Sequence, residues 1–322
     1  MILQLIYTFI FTLVVTVVLG HFGIPMLRRL HAQQSIREEG PKNHQAKAGT
    51  PTMGGLFMML ALIIGVLFMA PLSITTGILL FLTLGHALLG FSDDFIKAVK
   101  KRNLGLTAKQ KLAGQLVMAA IFCYIATEYI TLPTTVWIPF VNTTVDIGAF
   151  YYFLVFIVIV GTTNAVNLTD GLDGLAAGTG AVAAISYAVI GLLAGLPSVA
   201  FYGVALCGAA LGFLYYNMNP AKVFMGDTGS LALGGAFAGM AIMTKTELLL
   251  VIIGGIFVME ALSVIIQVAS FKTRGVRVFK MSPIHHHFEL SGWGEQKVVT
   301  RFWLGGCICA IIGLAVYVVQ CQ

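Results

Sequence analysis

Ten predominantly apolar stretches, most of them about 20 residues long and so able to span a bilayer, restrict the fold of this chain more than any other feature. In lipid an unpaired backbone amide or carbonyl costs several kcal/mol, so such stretches must cross as helices. They lie at Met1–Leu27, Gly54–Leu72, Thr75–Val99, Leu112–Ile130, Phe150–Ala165, Leu172–Leu193, Val199–Tyr216, Ser230–Met243, Leu248–Phe271 and Phe302–Val319. Only 10% of the residues are charged and 58% are hydrophobic, whereas a soluble domain carries roughly 25% charged residues. The expected fold is therefore all-α and polytopic, a single integral membrane domain over residues 1–322 with about ten transmembrane helices. The first run has no basic residue ahead of it and Arg28-Arg29 behind it. A signal peptide has the reverse order, so this run is read as an uncleaved span.

Lysine and arginine set the orientation. Of the 19 basic residues, 18 fall on one side: Arg28, Arg29, Arg37, Lys42 and Lys47; Lys97, Lys100, Lys101, Arg102, Lys109 and Lys111; Lys222; and Lys272, Arg274, Arg277, Lys280, Lys297 and Arg301. Only Lys245 lies opposite. By the positive-inside rule the basic loops are cytoplasmic and both termini are outside. The longest outer connection, Thr131–Gly148, alternates apolar residues with Thr, Pro and Asn and reads as a small periplasmic β-hairpin. The five cysteines show neither metal-ligand spacing nor a disulfide framework.

Between the runs Phe150–Gly161 and Leu175–Leu196 lies a polar strip, Asn164–Gly174, holding two asparagines and two aspartates more than a turn needs. In its plainest reading Asp170 caps the next helix and the glycines permit the bend. Asp93, Asp94, Asp170, Asp173 and Asp227 all fall at cytoplasmic ends of spans. Asp93 and Asp94 close one helix, where they oppose its dipole; adjacent helical side chains point about 100° apart, so the two need not share a task. Asp227, in Gly226-Asp227-Thr228-Gly229-Ser230, opens another span, either as an N-cap or as a ligand for Mg²⁺, which favours one or two carboxylates plus substrate oxygens. Phe224, three residues earlier, is a candidate platform for a base. The loop Lys272–Arg301 carries Pro283-Ile284-His285-His286-His287-Phe288-Glu289-Leu290. Three consecutive side chains diverge, so one zinc ion does not readily take all of them. Histidines among Lys272, Arg274, Arg277 and Lys280 suit anionic oxygens. In an extended stretch His285 and His287 would share a face and His286 would turn away.

The inner face thus offers carboxylates for a metal, cations for phosphate and an aromatic for a base, all at membrane level. That combination suits phosphoryl transfer from a soluble nucleotide donor to a lipid acceptor, where positioning and charge neutralisation carry most of the catalysis. The sequence resembles the bacterial phospho-N-acetylmuramoyl-pentapeptide transferases, a branch of the polyprenyl-phosphate N-acetylhexosamine-1-phosphate transferase superfamily. The resemblance rests on Lys47–Gly55, Asp93–Lys97, Asn164–Gly174, Phe224–Ser230 and Pro283–Leu290, continued by Gly292-Trp293, Glu295, Lys297–Val299 and Arg301–Trp303. The aspartate motifs are shared across the superfamily, whereas the histidine stretch belongs to the muramoyl branch.

The resemblance implies transfer of phospho-N-acetylmuramoyl-pentapeptide from its UDP carrier to undecaprenyl phosphate, giving lipid I and UMP. It implies a homodimer in the bacterial inner membrane with its cleft on the cytoplasmic face, and no nucleic acid partner. By similarity Asp227 holds Mg²⁺, Phe224 stacks on uracil, and Lys47, Leu172 and Asp173 line the nucleoside pocket. Asn167, Asp170, Asn217 and Gln267 complete the polar cleft. Lys97 and Lys109 are candidates for phosphate or lipid-phosphate contacts, and Asp93 is the base for the acceptor phosphate with Asp94 beside it. The histidine loop follows the span that holds Gln267, so His285 is expected to contact the pyrophosphate with His287 nearby, while His286 and the rest of the loop help to admit the muramoyl-pentapeptide. Two alternatives are a sister transferase using UDP-N-acetylglucosamine, against which the histidine stretch argues, and an ion-coupled transporter. A transporter needs charges near the midplane, and the only candidate away from the ends of a span is Glu260.

Overall fold

A computed structural model of the protein describes residues 1–30, 47, 49–100 and 104–321. Arg37, Lys42, Ala48, Lys101 and Arg102, named above, lie outside the described residues. In chain order the elements are α1 (Ile2–Arg29), α2 (Gly55–Met69), α3 (Ile74–Lys100), α4 (Ala108–Ile130), β1 (Thr135–Ile138), β2 (Thr143–Asp146), α5 (Phe150–Thr169) and α6 (Leu175–Leu193). They continue with α7 (Pro197–Asn217), α8 (Gly226–Met243), α9 (Leu250–Ile253), α10 (Gly255–Arg274), α11 (Ile284–Glu289) and α12 (Glu295–Cys321). Helix occupies each of the ten apolar runs. Among the described residues eight of these helices are long and apolar enough to cross a membrane, and α2 is a shorter apolar helix. The chain is a multi-pass membrane protein.

The fold is wrapped around α8. Every residue from Thr228 to Met243 is buried, as expected of a helix that is apolar on all sides. Its run of Gly, Ala and Ser lets other backbones come close, the usual means of helix association in lipid. α3 and α5 lie along it. The α3 crossing is so tight at Gly90 that a Cβ there would overlap the Asp227 carbonyl. A second layer forms where α7 packs between α1 and α6. The outward faces of α1 and α12 are apolar, with Ile6, Ile10, Val14, Val18, Leu304, Ile308 and Ile311 exposed, as a lipid-facing surface requires.

The hairpin forms at the expected place, β1 antiparallel to β2 with Val136 opposite Val145. Lys245 reaches the same end of the molecule, where its Nζ donates to the Pro133 carbonyl at 3.0 Å and lies 3.6 Å from the centre of the Tyr151 ring. The polar strip is at the other end of α5.

Three boundaries differ from the sequence reading. The run Leu248–Phe271 is broken at Gly254 into α9 and α10, because adjacent glycines hold a helix poorly. α12 begins seven residues ahead of its apolar run; hydropathy does not register its polar first turns. α8 begins at Gly226, so Asp227 lies inside its first turn and is not its N-cap.

Candidate functional site

Three helix ends converge below the polar strip: the C-terminal part of α3, the C-terminus of α5 and the N-terminus of α8. The two α3 acids diverge as helical geometry demands. Asp93, 1% exposed, accepts from the Leu106 N–H at 2.7 Å and pairs with Lys97 at 2.5 Å and Lys111 at 3.1 Å. Asp94 turns to α8, accepting from the backbone N–H groups of Asp227 at 3.2 Å and Thr228 at 2.9 Å and from the Thr228 hydroxyl at 2.7 Å. It supplies the cap that α8 lacks within its own chain segment, a carboxylate at the positive end of a helix dipole. Asp227 is held by Lys111, by Lys97 at 3.3 Å and by the Asn167 amide at 3.1 Å. Asn167 also donates to the Ser230 hydroxyl at 2.8 Å.

The strip is half helix: Asn164–Thr169 form the end of α5, and Asp170–Gly174 make the turn into α6. Asp170 does not cap α6. That helix starts at Leu175, and its N-cap is Gly174, whose φ of +80° suits glycine and whose N–H donates to the Asn217 side-chain oxygen at 3.0 Å. Asn217, 3% exposed, donates in turn to the Val223 carbonyl at 2.9 Å, so it ties the strip to the loop before α8. Burial, and then the negative charges of Asp227, Asp94 and Asp173, push the Asp170 carboxyl up to about 8, against the pull of the Gly226 N–H. Asp173 pairs with Lys47 at 2.7 Å, and Lys47 also reaches Glu295, at the start of α12, at 2.5 Å. Asn219 and the Ala221 N–H complete the Asp173 shell at 3.1 and 3.0 Å. Phe224 is half-buried, and its backbone joins the loop to the segment before α2: its N–H donates to Pro51 at 2.8 Å and its carbonyl accepts from Gly54 at 2.9 Å. Leu172 is packed in an apolar cluster with Leu175, Ile256, Val298 and Phe302.

The histidine stretch is helical, not extended: α11 spans Ile284–Glu289. Its three imidazoles therefore fan about 100° apart, and His285 and His287 do not share a face. His285 is fully buried, with Nδ1 3.1 Å from Glu260 Oε1. His286 pairs with Glu289 at 2.9 Å. His287 accepts from the Lys280 N–H at 3.2 Å. Gln267 braces the loop ahead of them, accepting from Val278 and Phe279 and donating to the Phe279 carbonyl, each at 2.9 Å. The mid-span acid Glu260 is thus bonded to the histidine stretch.

Lys109 is exposed, and the α4 lysine at the acids is Lys111. Two residues apart on a helix point about 200° apart, so only one of the two can face α3; charge pattern alone does not choose between them. Glu295 and Asn219, given no role from sequence, prove to be partners of Lys47 and Asp173. The acid of Glu295 at the head of an apolar run was the available signal.

One oxygen from each of Asp93, Asp94 and Asp227 lies within 4.8 Å of the others, so the cluster can hold a metal ion. The donors are hard carboxylate oxygens, the set that suits Mg²⁺. Asp94 is engaged by the Asp227 and Thr228 donors, whereas Asp93 and Asp227 face the Lys97 and Lys111 ammonium groups, with the Leu106 and Asn167 donors beside them.

Residues 75–245 match the profile of Glycosyl transferase family 4, and residues 47–57 match the phospho-N-acetylmuramoyl-pentapeptide-transferase signature 1. The chain is 57% identical to the phospho-N-acetylmuramoyl-pentapeptide-transferase of Halalkalibacterium halodurans, over 96% of each chain. It is 58% identical to that of Anoxybacillus flavithermus over 95% of each. Identity to that of Bacillus subtilis is 52%, over 98% of each.

Proposed function

We propose, from the premise that this chain belongs to the phospho-N-acetylmuramoyl-pentapeptide transferase family, that it moves phospho-N-acetylmuramoyl-pentapeptide from UDP to undecaprenyl phosphate, releasing UMP and forming lipid I. The observation that carries this reading is the meeting of Asp93, Asp227, Lys97 and Lys111 at one membrane-level site, with Phe224 on the adjoining loop. Phosphoryl transfer needs charge neutralisation more than covalent help from the protein, and this site provides both signs of charge. The basic loops make its face cytoplasmic, where a soluble UDP donor is found, and the membrane is then the bacterial inner membrane. The same family reading makes the protein a homodimer.

Asp227, with Asp93 beside it, would hold Mg²⁺, which supplies positive charge for the donor's diphosphate oxygens when bound. Lys97 and Lys111 then turn from the carboxylates to phosphate oxygens. Asp94 is committed to the α8 cap, so Asp93 takes the proton of the acceptor phosphate. A phosphate monoester has a second pKa near 6, so only a residual proton must be removed and a weak base suffices. The acceptor oxygen attacks the phosphorus bearing the sugar, and the bond to UMP breaks. Lys47, Asp173 and Phe224 grip the nucleoside. An apolar cavity of about 340 Å³ beside α11, lined by Val258, Met259, Leu262, Ile266, Phe279 and Ile284, suits a hydrocarbon chain.

The test is UMP release by purified protein with Mg²⁺ and undecaprenyl phosphate, each UDP-sugar being offered in turn. Turnover is expected with UDP-N-acetylmuramoyl-pentapeptide and not with UDP-N-acetylglucosamine, and is expected to stop with chelator and resume with Mg²⁺. Equal turnover of both donors would move the protein to the sister branch.

A further inference from the structure

Glu260 and His285 are both fully buried, one on α10 and the other on α11. The His285 Nδ1 is 3.1 Å from Glu260 Oε1. An ionised Glu260 can only accept, and it then places the hydrogen between them on Nδ1, whether the ring is neutral or charged. The outer ring nitrogen, Nε2, is then the atom left for another partner. Among the described residues it has none, although it is buried. It packs against the polar turn before α6: a Cβ added to Gly171 would overlap it. Gly171 lies between Asp170 and Asp173, the same turn whose Asp173 pairs with Lys47. A buried, unpaired ring nitrogen is unfavourable, and such groups persist where a ligand or reaction uses them.

We propose that Glu260 is a positioning residue for the transfer reaction. It fixes the ring and tautomer of His285 so that Nε2 faces the Asp170–Asp173 turn, where it contacts the phospho-sugar portion of the donor. This rests on the transfer reading given above. The pair is the carboxylate–imidazole arrangement that elsewhere orients a histidine for metal binding or catalysis. Glu260 is here the second member, acting only through His285. A residue that merely tied the loop to α10 would need neither a fixed tautomer nor an unpaired Nε2.

The test uses full-length protein in lipid nanodiscs, labelled with ¹⁵N-histidine, the His285 signal being identified by its loss in His285→Ala. The wild type is expected to show Nδ1 protonated. Nδ1 found bare would overturn the proposal, whatever the variants do. Glu260→Gln keeps the volume but offers an amide N–H that can meet a bare Nδ1, so the proton is expected to shift towards Nε2. The expected loss in kcat is about 10- to 100-fold, the range for removing a histidine's orienting partner, with donor KM changed less than about threefold. In a His285→Ala background the same substitution is expected to cost nothing further, because coupled residues are non-additive. Wild-type kcat in Glu260→Gln, or losses that add, would reduce the pair to a structural tie. The spectra are recorded without substrate, so a protein that turns over no UDP-sugar would refute the transfer reading while leaving the tautomer to judge the dyad.

Discussion

Asp94 of α3 caps α8 at Thr228: its carboxylate takes the Thr228 N–H at 2.9 Å and the Thr228 hydroxyl at 2.7 Å. The helix that carries Asp227 is therefore anchored by the helix that carries Asp93, and the two acids of the pair do different work. Asp94→Ala is expected to lower stability by about 0.5–2 kcal/mol, the range for a lost N-cap. Asp93→Asn is expected to leave the thermal midpoint near that of the wild type while abolishing UMP release. Thermal unfolding in detergent separates the two, and equal shifts for both variants would assign both acids one role.

Lys111 bridges Asp93 and Asp227, whereas Lys109 on the same turn of α4 is exposed. Lys111→Gln is expected to cut turnover by about 10²-fold or more, the scale of losing one preorganised charge from a reacting site. Lys109→Gln is expected to change it by less than about twofold, as is usual for an exposed charge. The reverse order in steady-state assays would mean that α4 turns its other face to the acids when substrate is bound.

The contrast between these lysines marks where sequence reading stops. Hydropathy period and the asymmetry of Lys and Arg made the spans legible, along with the one lysine at the hairpin end, Lys245, because burial in lipid acts on composition over long windows. The clustering of Asp93, Asp227 and the 164–174 strip was legible because polar groups have only the helix ends to occupy. Facing choices were not. Lys109 against Lys111, the cap role of Asp94 and the helical turn of His285–His287 depend on rotations of about 100° per residue. Only packing fixes these. Nor did the sequence foretell that Glu260 meets His285, since their pairing requires α10 and α11 to be placed relative to one another.

Phe224 is half-buried, and its main chain is paired on both sides with Pro51 and Gly54. Removal of the ring therefore leaves the loop's hydrogen bonds in place. Phe224→Ala is expected to weaken donor binding by about 1–3 kcal/mol, the range for a base stacked on an aromatic ring, without altering the KM for undecaprenyl phosphate. Calorimetric titration with UDP-N-acetylmuramoyl-pentapeptide measures the first and steady-state kinetics the second. A lowered unfolding temperature with unchanged donor affinity would make the ring a packing element.

Gly90 gives the most direct control over the site from outside its chemistry. It touches no candidate substrate group, yet a Cβ there would overlap the backbone carbonyl of Asp227. Gly90→Ala must move α3 or the first turn of α8, and overpacking of this kind typically destabilises by about 1–3 kcal/mol. The shift falls on the Asp94–Thr228 cap and on the spacing between Asp93 and Asp227, so turnover and Mg²⁺ dependence should both worsen. Gly77→Ala on the same helix is the control, because a Cβ there meets nothing within 4 Å. It should be neutral or stabilising, as replacing a helical glycine commonly is. If Gly90→Ala lost stability but kept wild-type kcat and half-saturating Mg²⁺, the geometry between α3 and α8 would not be what limits the reaction.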